Sequence, residues 1–381
     1  MDTTALLAML PSGIRIALSG RIRRFVGFRR IDGDAKTVCT EVVRRCYDRK
    51  RGCYTASPET YRDFWARDFG RVVPSLLYLG FEKETTRTFR YALERYDAHG
   101  CFRLVISPQG RMFDFPTYAP DGFALFVYGL SCLRDRRLVS RYRRFLEAEL
   151  RRFAEGVLEP ETGLVRCDRR FSEAQDYAVR SASCYTASMC HLLSRSADSL
   201  GLDNPLTRYD FQSLIHRTYW NGTYYLDDRS GKTYVSGDAC IAPFWTDAAR
   251  APDEQLPSVL EALDDAGITA PLPARYGAGT MEGREMIWMD RVNPWQRDAV
   301  WTCLGLQFLQ VIERHAQERY RRELARYEAF IQRIGCFPEV LFARNLALFR
   351  SRTYQSETAM LWAADLWRML ESRDRALRTA K

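Results

Sequence analysis

Six stretches of this 381-residue chain set acidic side chains beside aromatic ones, the residue types that cleavage of a glycosidic bond requires. That chemistry uses two carboxyl groups. One protonates the leaving oxygen and the other activates water, at a separation of about 6.5–9.5 Å when the anomeric configuration inverts. Aromatic faces stack on sugar rings, while carboxylates and guanidinium groups grip adjacent hydroxyls.

The first stretch, DFWARDFG, holds Asp63, Trp65, Arg67 and Asp68 ahead of an apolar run. Arg67 and Asp68 can grip hydroxyls while Trp65 stacks. The plainer reading is a helix start, with Asp68 complementing the dipole and Arg67 as its surface partner. In the second, FPTYAPDGFALFVYGL, Asp121-Gly122 opens an apolar helix, where Asp is an ordinary N-cap. The third, ETGLVRCDRRFSEAQDYAVRSASCYTASM, carries Asp168, Glu173 and Asp176, and spacing does not choose among them. The fourth, SGDACIAPFW, has Asp238 and Trp245. The fifth, WMDRVNPWQRDAVWTCLGL, gathers Trp288, Trp295 and Trp301 with Asp290, Gln296 and Asp298, more indoles than a core needs, and reads as a stacking platform. In the sixth, GCFPEVLFARN, Glu339 sits in a Pro-led turn; Glu357 follows in RTYQSETAMLWAADLW, where a helix cap is the plain role.

Loops so far apart in sequence must be carried to one rim, and the intervening segments suit that task. From about Lys36 the chain repeats an amphipathic stretch, a loop and another amphipathic stretch. The pairs are 36–49 with 68–80, 83–97 with 121–135, 138–155 with 180–200, 207–219 with 238–250, 254–267 with 294–314, and 316–333 with 354–371. Loops inside a pair are long (101–120, 159–179, 268–293), whereas those between pairs are brief, as expected when one end of a helical ring carries the site. Strand-like pieces at 224–227 and 233–236 read as small hairpins. Twelve helices in six pairs, without the fixed-period consensus of an open solenoid, predict an all-α (α/α)6 toroid with short β-hairpins on one rim. No linker divides the chain, so residues 36–375 read as one domain behind a basic amphipathic extension, 1–35.

Composition narrows the function classes. The net charge of +9 comes mainly from Arg doublets interleaved with acids, a solvated outer face rather than a nucleic-acid track. Such a field can still concentrate an anionic ligand such as a phosphorylated or carboxylated sugar. Eleven scattered Cys without a CxxC pair, and four His without HExxH, argue against a metal or other cofactor and for reduced thiols in a cytoplasm. At the amino terminus an acid precedes the apolar run, Pro11 breaks it and basic residues follow, the wrong order for a signal peptide. Docking on the protein's own body is the ordinary role for that segment, and contact with a membrane surface the less ordinary one.

In order and spacing these motifs resemble the six-hairpin glycosidases, the group that includes glucoamylase, neutral invertase, trehalase and the glucosidase part of glycogen debranching enzyme. The likeness runs from about Tyr54 to Leu370. FWARDFG is similar to the W/F-x-R-D-F segment of neutral invertase and glucoamylase, which implies that Arg67 and Asp68 bind the innermost sugar. APDGFALFVYGL resembles a glucoamylase helix start and puts Asp121 on the same pocket rim. PEVLF followed by TAMLWAADL resembles the closing turn and last helix, which implies Glu339 as general base. The family places its acid before the sixth helix, which favours Asp176 over Asp168, Glu173 and the late Trp-Met-Asp residue Asp290. That loop lacks the family's Trp-linked acid.

The resemblance implies an inverting hydrolase of α-linked glucosyl or related oligosaccharides, with Trp65, Trp288, Trp295 and Gln296 lining the pocket. Two alternatives stand beside it. A sugar epimerase or lyase on the same ring would need His, and the four His sit mostly inside helical stretches. A carbohydrate-binding protein without a working acid would explain the missing signature.

Overall fold

Helices of two kinds alternate along the chain. The segment Arg136–Val157 carries one buried stripe (Leu138, Tyr142, Leu146, Leu150, Phe153, Val157), with Arg141, Arg144, Arg151 and Arg152 outside. Pro120–Leu133 is buried on nearly every side. A striped helix faces a core once, whereas an all-apolar one must lie between two layers. In the computed structural model, which describes residues 27–278, 285–291 and 294–379 but not the side chains of Trp288 and Met289, the two kinds form two concentric rings.

Twelve α-helices occur among the described residues. The outer six are α1 (Ala35–Arg45), α3 (Glu82–His99), α5 (Arg136–Val157), α7 (Phe211–Tyr219), α9 (Pro252–Asp265) and α11 (Gln317–Ile334). The inner six are α2 (Ala66–Tyr78), α4 (Pro120–Leu133), α6 (Cys184–Ser199), α8 (Gly237–Trp245), α10 (Thr302–His315) and α12 (Ala363–Thr379). Each inner helix packs on the next, α2 on α4, α4 on α6, α6 on α8 and α8 on α10. Arg368 of α12 grips Glu313 of α10 at 2.6 and 2.7 Å, and Ser75 of α2 donates to Asp365 of α12 at 2.6 Å, which closes the ring. Lys36 of α1 pairs with Glu371 and Asp374 of α12 at 2.7 and 2.9 Å. The fold is an (α/α)6 toroid.

The closest approach in the inner ring lies between α2 and α4. A Cβ on Gly70 would stand 2.2 Å from the Leu125 carbonyl oxygen, and one on Gly129 would stand 2.9 Å from the Gly70 carbonyl. Only glycine lets these backbones meet. Helix starts are set locally: Asp34, Asp135 and Ser183 each accept from backbone N–H groups at the starts of α1, α5 and α6. No helix among the described residues is long and apolar enough to cross a membrane.

All the loops from an outer to an inner helix leave at one end. Two-residue strands tie them together: β1 (Tyr47–Asp48) with β2 (Cys53–Tyr54), β3 (Phe64–Trp65) with β4 (Val105–Ile106) and β5 (Met112–Phe113), β6 (Ala178–Val179) with β7 (Glu285–Met286), and β8 (Val300–Trp301) with β9 (Val340–Leu341). The pairings are antiparallel and mostly join different loops, with Trp65 opposite Val105, Ala178 opposite Met286 and Trp301 opposite Val340.

Three expectations shift. The pieces at 224–227 and 233–236 form no strand pair; a single bridge joins Trp220 to Tyr225. The stretch from 294 starts as a 3-10 turn at Pro294–Gln296, and α10 begins only at Thr302. Residues 354–362 precede α12, because Ser356, Glu357 and Thr358 are spent on contacts with the Glu339 loop. Residues 1–26, most of the extension, lie outside the described residues.

Candidate active site

The site is built where the first turns of the inner helices meet the loops above them. Strand β3 delivers the chain to α2 so that Arg67 and Asp68 fall in its first turn. Helical side chains lean toward the N-terminus, and here that direction is up into the rim.

Arg67 is not a surface residue; it is 8% exposed. Its Nε lies 2.7 Å from Asp121 Oδ2, its Nη2 donates to Asp121 Oδ1 at 3.0 Å, and its Nη1 donates to Asp176 Oδ1 at 3.0 Å. Three helix-start loops are thereby locked together. Asp121 does not cap α4, whose N-cap is Ala119; it faces Arg67 and also accepts from Tyr185 Oη at 3.1 Å. Burial pushes the Asp121 carboxyl up to about 6 against the pull of Arg67. Asp176 accepts from Ser172 Oγ at 2.6 Å, and burial raises its pKa although Arg67, Ser172 and Gln296 oppose the rise. Burial likewise raises Asp68, whose nearest cation is Arg71 at 4.0 Å.

The facing wall comes from the last long loop. Glu339 follows the Pro338 turn and is 6% exposed. The Tyr354 hydroxyl donates to Glu339 Oε2, and the Tyr61 hydroxyl is a second hydrogen-bond partner of the same carboxyl. Burial drives Glu339 up to about 8, with the charges of Glu357 and Asp68 adding to the rise and the two phenols opposing it. Aromatic rings run from one wall to the other: Tyr177, next to Asp176, stacks on Trp295 at 5.7 Å, and Trp295 meets Tyr354 at 3.9 Å. On the other side Trp65 packs edge-on against Tyr61 at 6.1 Å and Phe115 at 6.2 Å. The indole N–H groups of Trp65 and Trp295 are buried without a partner among the described residues. Buried donors of this kind need an acceptor, and a sugar hydroxyl can supply one.

The other candidates fall elsewhere. Gln296 is buried; its carboxamide oxygen accepts from Tyr177 N at 2.6 Å, its amide serves Asp176, and its own carbonyl accepts from Gln175. It ties the Asp176 loop to the 294–296 turn. Asp168 lies outside on Arg166, with hydrogen bonds of 2.9 and 2.6 Å, and its carboxyl is 63% exposed. Glu173 belongs to a buried cluster in which Arg180 binds Glu173, Asp227 and Asp238 at 2.7, 2.9 and 2.8 Å. Asp290 pairs with Arg297 at 2.5 Å. Glu357 caps nothing; it accepts from Ser57 Oγ at 3.0 Å and Thr60 N at 2.8 Å. The Trp288 side chain lies outside the described residues.

No protein-family model and no curated protein matches this chain. Solved structures do match its fold. A rhamnosidase from Klebsiella oxytoca with rhamnose bound superposes with a TM-score of 0.63 at 13% identity, over 89% of this chain and 63% of the rhamnosidase, so this chain spans under two thirds of that protein. A glycosidase in complex with glucose gives 0.61 at 13% identity, over 89% of this chain and 95% of that one. A family GH63 mannosylglycerate hydrolase from Thermus thermophilus, in complex with Tris and D-glycerate, gives 0.59 at 13% identity, over 88% and 100%.

Sequence reasoning did not single out Tyr61, Ser172, Tyr185 or Tyr354. Tyr61 was within reach, because it stands two residues before the DFWARDFG stretch. Tyr354 and Ser172 carry no local signal; only the folded loops bring their hydroxyls to the carboxyls.

Proposed function

We propose that this chain is a glycoside hydrolase that cleaves an α-linked glucosyl or related sugar with inversion, in the manner of glucoamylase, trehalase and invertase. The observation that carries this reading is the Asp176 and Glu339 pair. Both carboxyls have pKa values raised by burial, and they are joined across one aromatic wall through Tyr177, Trp295 and Tyr354. The names of the structural neighbours, which bind rhamnose, glucose and D-glycerate, agree with a glycoside substrate. Eleven cysteines, all free, fit a reducing compartment such as the cytoplasm. We take residues 36–375 as the catalytic unit.

Asp176 acts as the acid and Glu339 as the base. A base must be ionised to take a proton from water, and two phenol donors on Glu339 stabilise that anion. Arg67, Asp68 and Asp121 form the hydroxyl-binding wall, and Trp65 and Trp295 offer their unpartnered N–H groups and apolar faces. One observation favours the exchanged assignment. At neutral pH a carboxyl with a pKa of about 8 holds its proton, whereas Asp176 has a guanidinium on it. In that case Glu339 donates and Asp176 activates water.

The test is a panel of α-linked oligosaccharides and 4-nitrophenyl glycosides, with the product anomer read by NMR. Release of no free sugar from any of them sinks the proposal. The two assignments separate on activated substrates, because a nitrophenolate leaves without protonation. Asp176→Ala keeps most of its 4-nitrophenyl glycoside turnover if Asp176 is the acid; if Glu339→Ala keeps it instead, the roles are exchanged.

A further inference from the structure

The loop that presents Glu339 and Tyr354 has a second face, turned outward on the same rim. A cleft of about 830 Å³ lies there, lined by Phe28, Phe342, Arg344, Asn345, Leu348 and Arg350 among others. Its charge is one-sided. Between Glu339 and Glu357 the sequence holds Arg344, Arg350 and Arg352 and no acid; next to Phe28 stands Arg29, while Arg30 pairs with Asp32 at 3.9 Å. Arg344 and Arg350 are exposed and form no ion pair among the described residues. The Arg344 guanidinium lies 5.2 Å over the Phe342 ring, which fixes its direction without consuming its hydrogen-bond donors.

The hairpin geometry ties this cleft to the pocket. Phe349 N donates to Val340 O at 3.0 Å and Phe342 N to Ala347 O at 2.9 Å, so the segment folds back on itself directly after Glu339. Phe342 stands three residues after Glu339, so their Cα atoms are at most about 11 Å apart. Gln355, also on the cleft, is the neighbour of Tyr354, whose hydroxyl serves Glu339. A ligand bridging the two faces need be only a few sugar rings long.

We propose that this cleft is an outer subsite for the anionic groups of an acidic glycan, carboxylate or sulfate, whose terminal sugar enters the ring. The inference rests on the glycosidase reading for the part of the ligand inside the ring, while the cleft itself is assigned from its own charge. Arg344 and Arg350 supply bidentate donors for planar or tetrahedral anions. Phe28, Phe342 and Leu348 supply apolar contact for the ring faces.

The test measures binding to the full-length protein by calorimetry at 50 and 300 mM salt, with tetragalacturonate and a sulfated dextran tetrasaccharide as acidic probes and maltotetraose as the neutral one. The two acidic probes separate a carboxylate preference from a sulfate preference. At least one acidic probe binds about tenfold or more tightly than maltotetraose at 50 mM salt, and the gap narrows at 300 mM as screening grows. Arg344→Ser with Arg350→Ser removes that preference, and the Lys pair at the same positions restores part of it. Turnover of a small neutral aryl glycoside is unchanged in both variants. Equal affinity of the acidic and neutral chains, or an acidic preference that survives the Ser pair, overturns the proposal. Tighter binding of single-stranded RNA than of either acidic glycan, lost in the Ser pair, overturns it in favour of a nucleic-acid surface. Failure of the glycosidase reading would appear instead as absent turnover with the acidic preference intact.

Discussion

Two buried arginines in this molecule have partners of a similar kind and different surroundings. Arg180 binds Glu173, Asp227 and Asp238, with Gln175 and Ser236 completing its contacts, and the side chains of the arginine and its three carboxylates are at most 4% exposed. Arg67 binds Asp121, Asp176 and Ser172, but the side chains of Asp176 and of the adjacent Asp68 are each 17% exposed. Around Arg67 there are also buried indole donors without partners, and around Arg180 the side chains are spent on one another. A saturated cluster fixes loops; an open one keeps capacity for a ligand. Chemistry alone does not separate them, and access does.

The open cluster answers most strongly to changes at its carboxyls. On an unactivated oligosaccharide, Asp176→Asn and Glu339→Gln each lower kcat by about 10²–10⁴-fold, with sugar affinity kept within a few-fold. Near-wild-type turnover of that substrate in either variant would remove that residue from the chemistry.

The next effect is on stability. Arg180→Met strands buried charges and costs about 3–5 kcal/mol in urea unfolding. Arg67→Met costs less, roughly 1–3 kcal/mol, because Asp121 already has a pKa near 6 and can take a proton while Asp176 reaches the pocket. Equal losses would mean that the two clusters are the same kind of object.

Glu339 gives a pH test with a definite sign. Its carboxyl titrates at about 8 in the folded chain and in the ordinary carboxylate range when unfolded, so between those limits the folded state holds the extra proton. Stability from this group therefore falls as pH rises from about 4.5 to 8. Glu339→Gln abolishes that slope, and its melting-temperature gain over wild type grows from pH 5 to pH 8. A constant difference across that range would show that Glu339 is not buried as a neutral acid.

The smallest effect concerns the phenols. Tyr354→Phe removes a donor that favours the ionised Glu339 and pushes its pKa higher still. With Glu339 as base, the rising limb of kcat/KM against pH moves upward, by about one unit or less. An upward move of the falling limb, with the rising limb in place, would favour Glu339 as the acid.

Much of the architecture was legible from the chain alone. Twelve amphipathic stretches in six pairs predict a ring of paired helices, and long loops inside the pairs predict a rim. The caps at Asp34, Asp135 and Ser183 act over one turn and are local, whereas Gly70 and Gly129 matter only because the fold brings α2 against α4. The fate of each carboxyl was not legible. Glu173 and Asp176 are three residues apart in one loop, yet one turns to Arg180 and the other to Arg67. Asp121 reads locally as a cap and is an ion-pair partner of Arg67, and nothing local shows that the Gln296 carboxamide accepts from Tyr177 N. Those outcomes depend on which guanidinium or phenol the folded ring brings within 3 Å. Such partners lie dozens to hundreds of residues away, and their effect is set by burial and dielectric rather than by residue type or spacing.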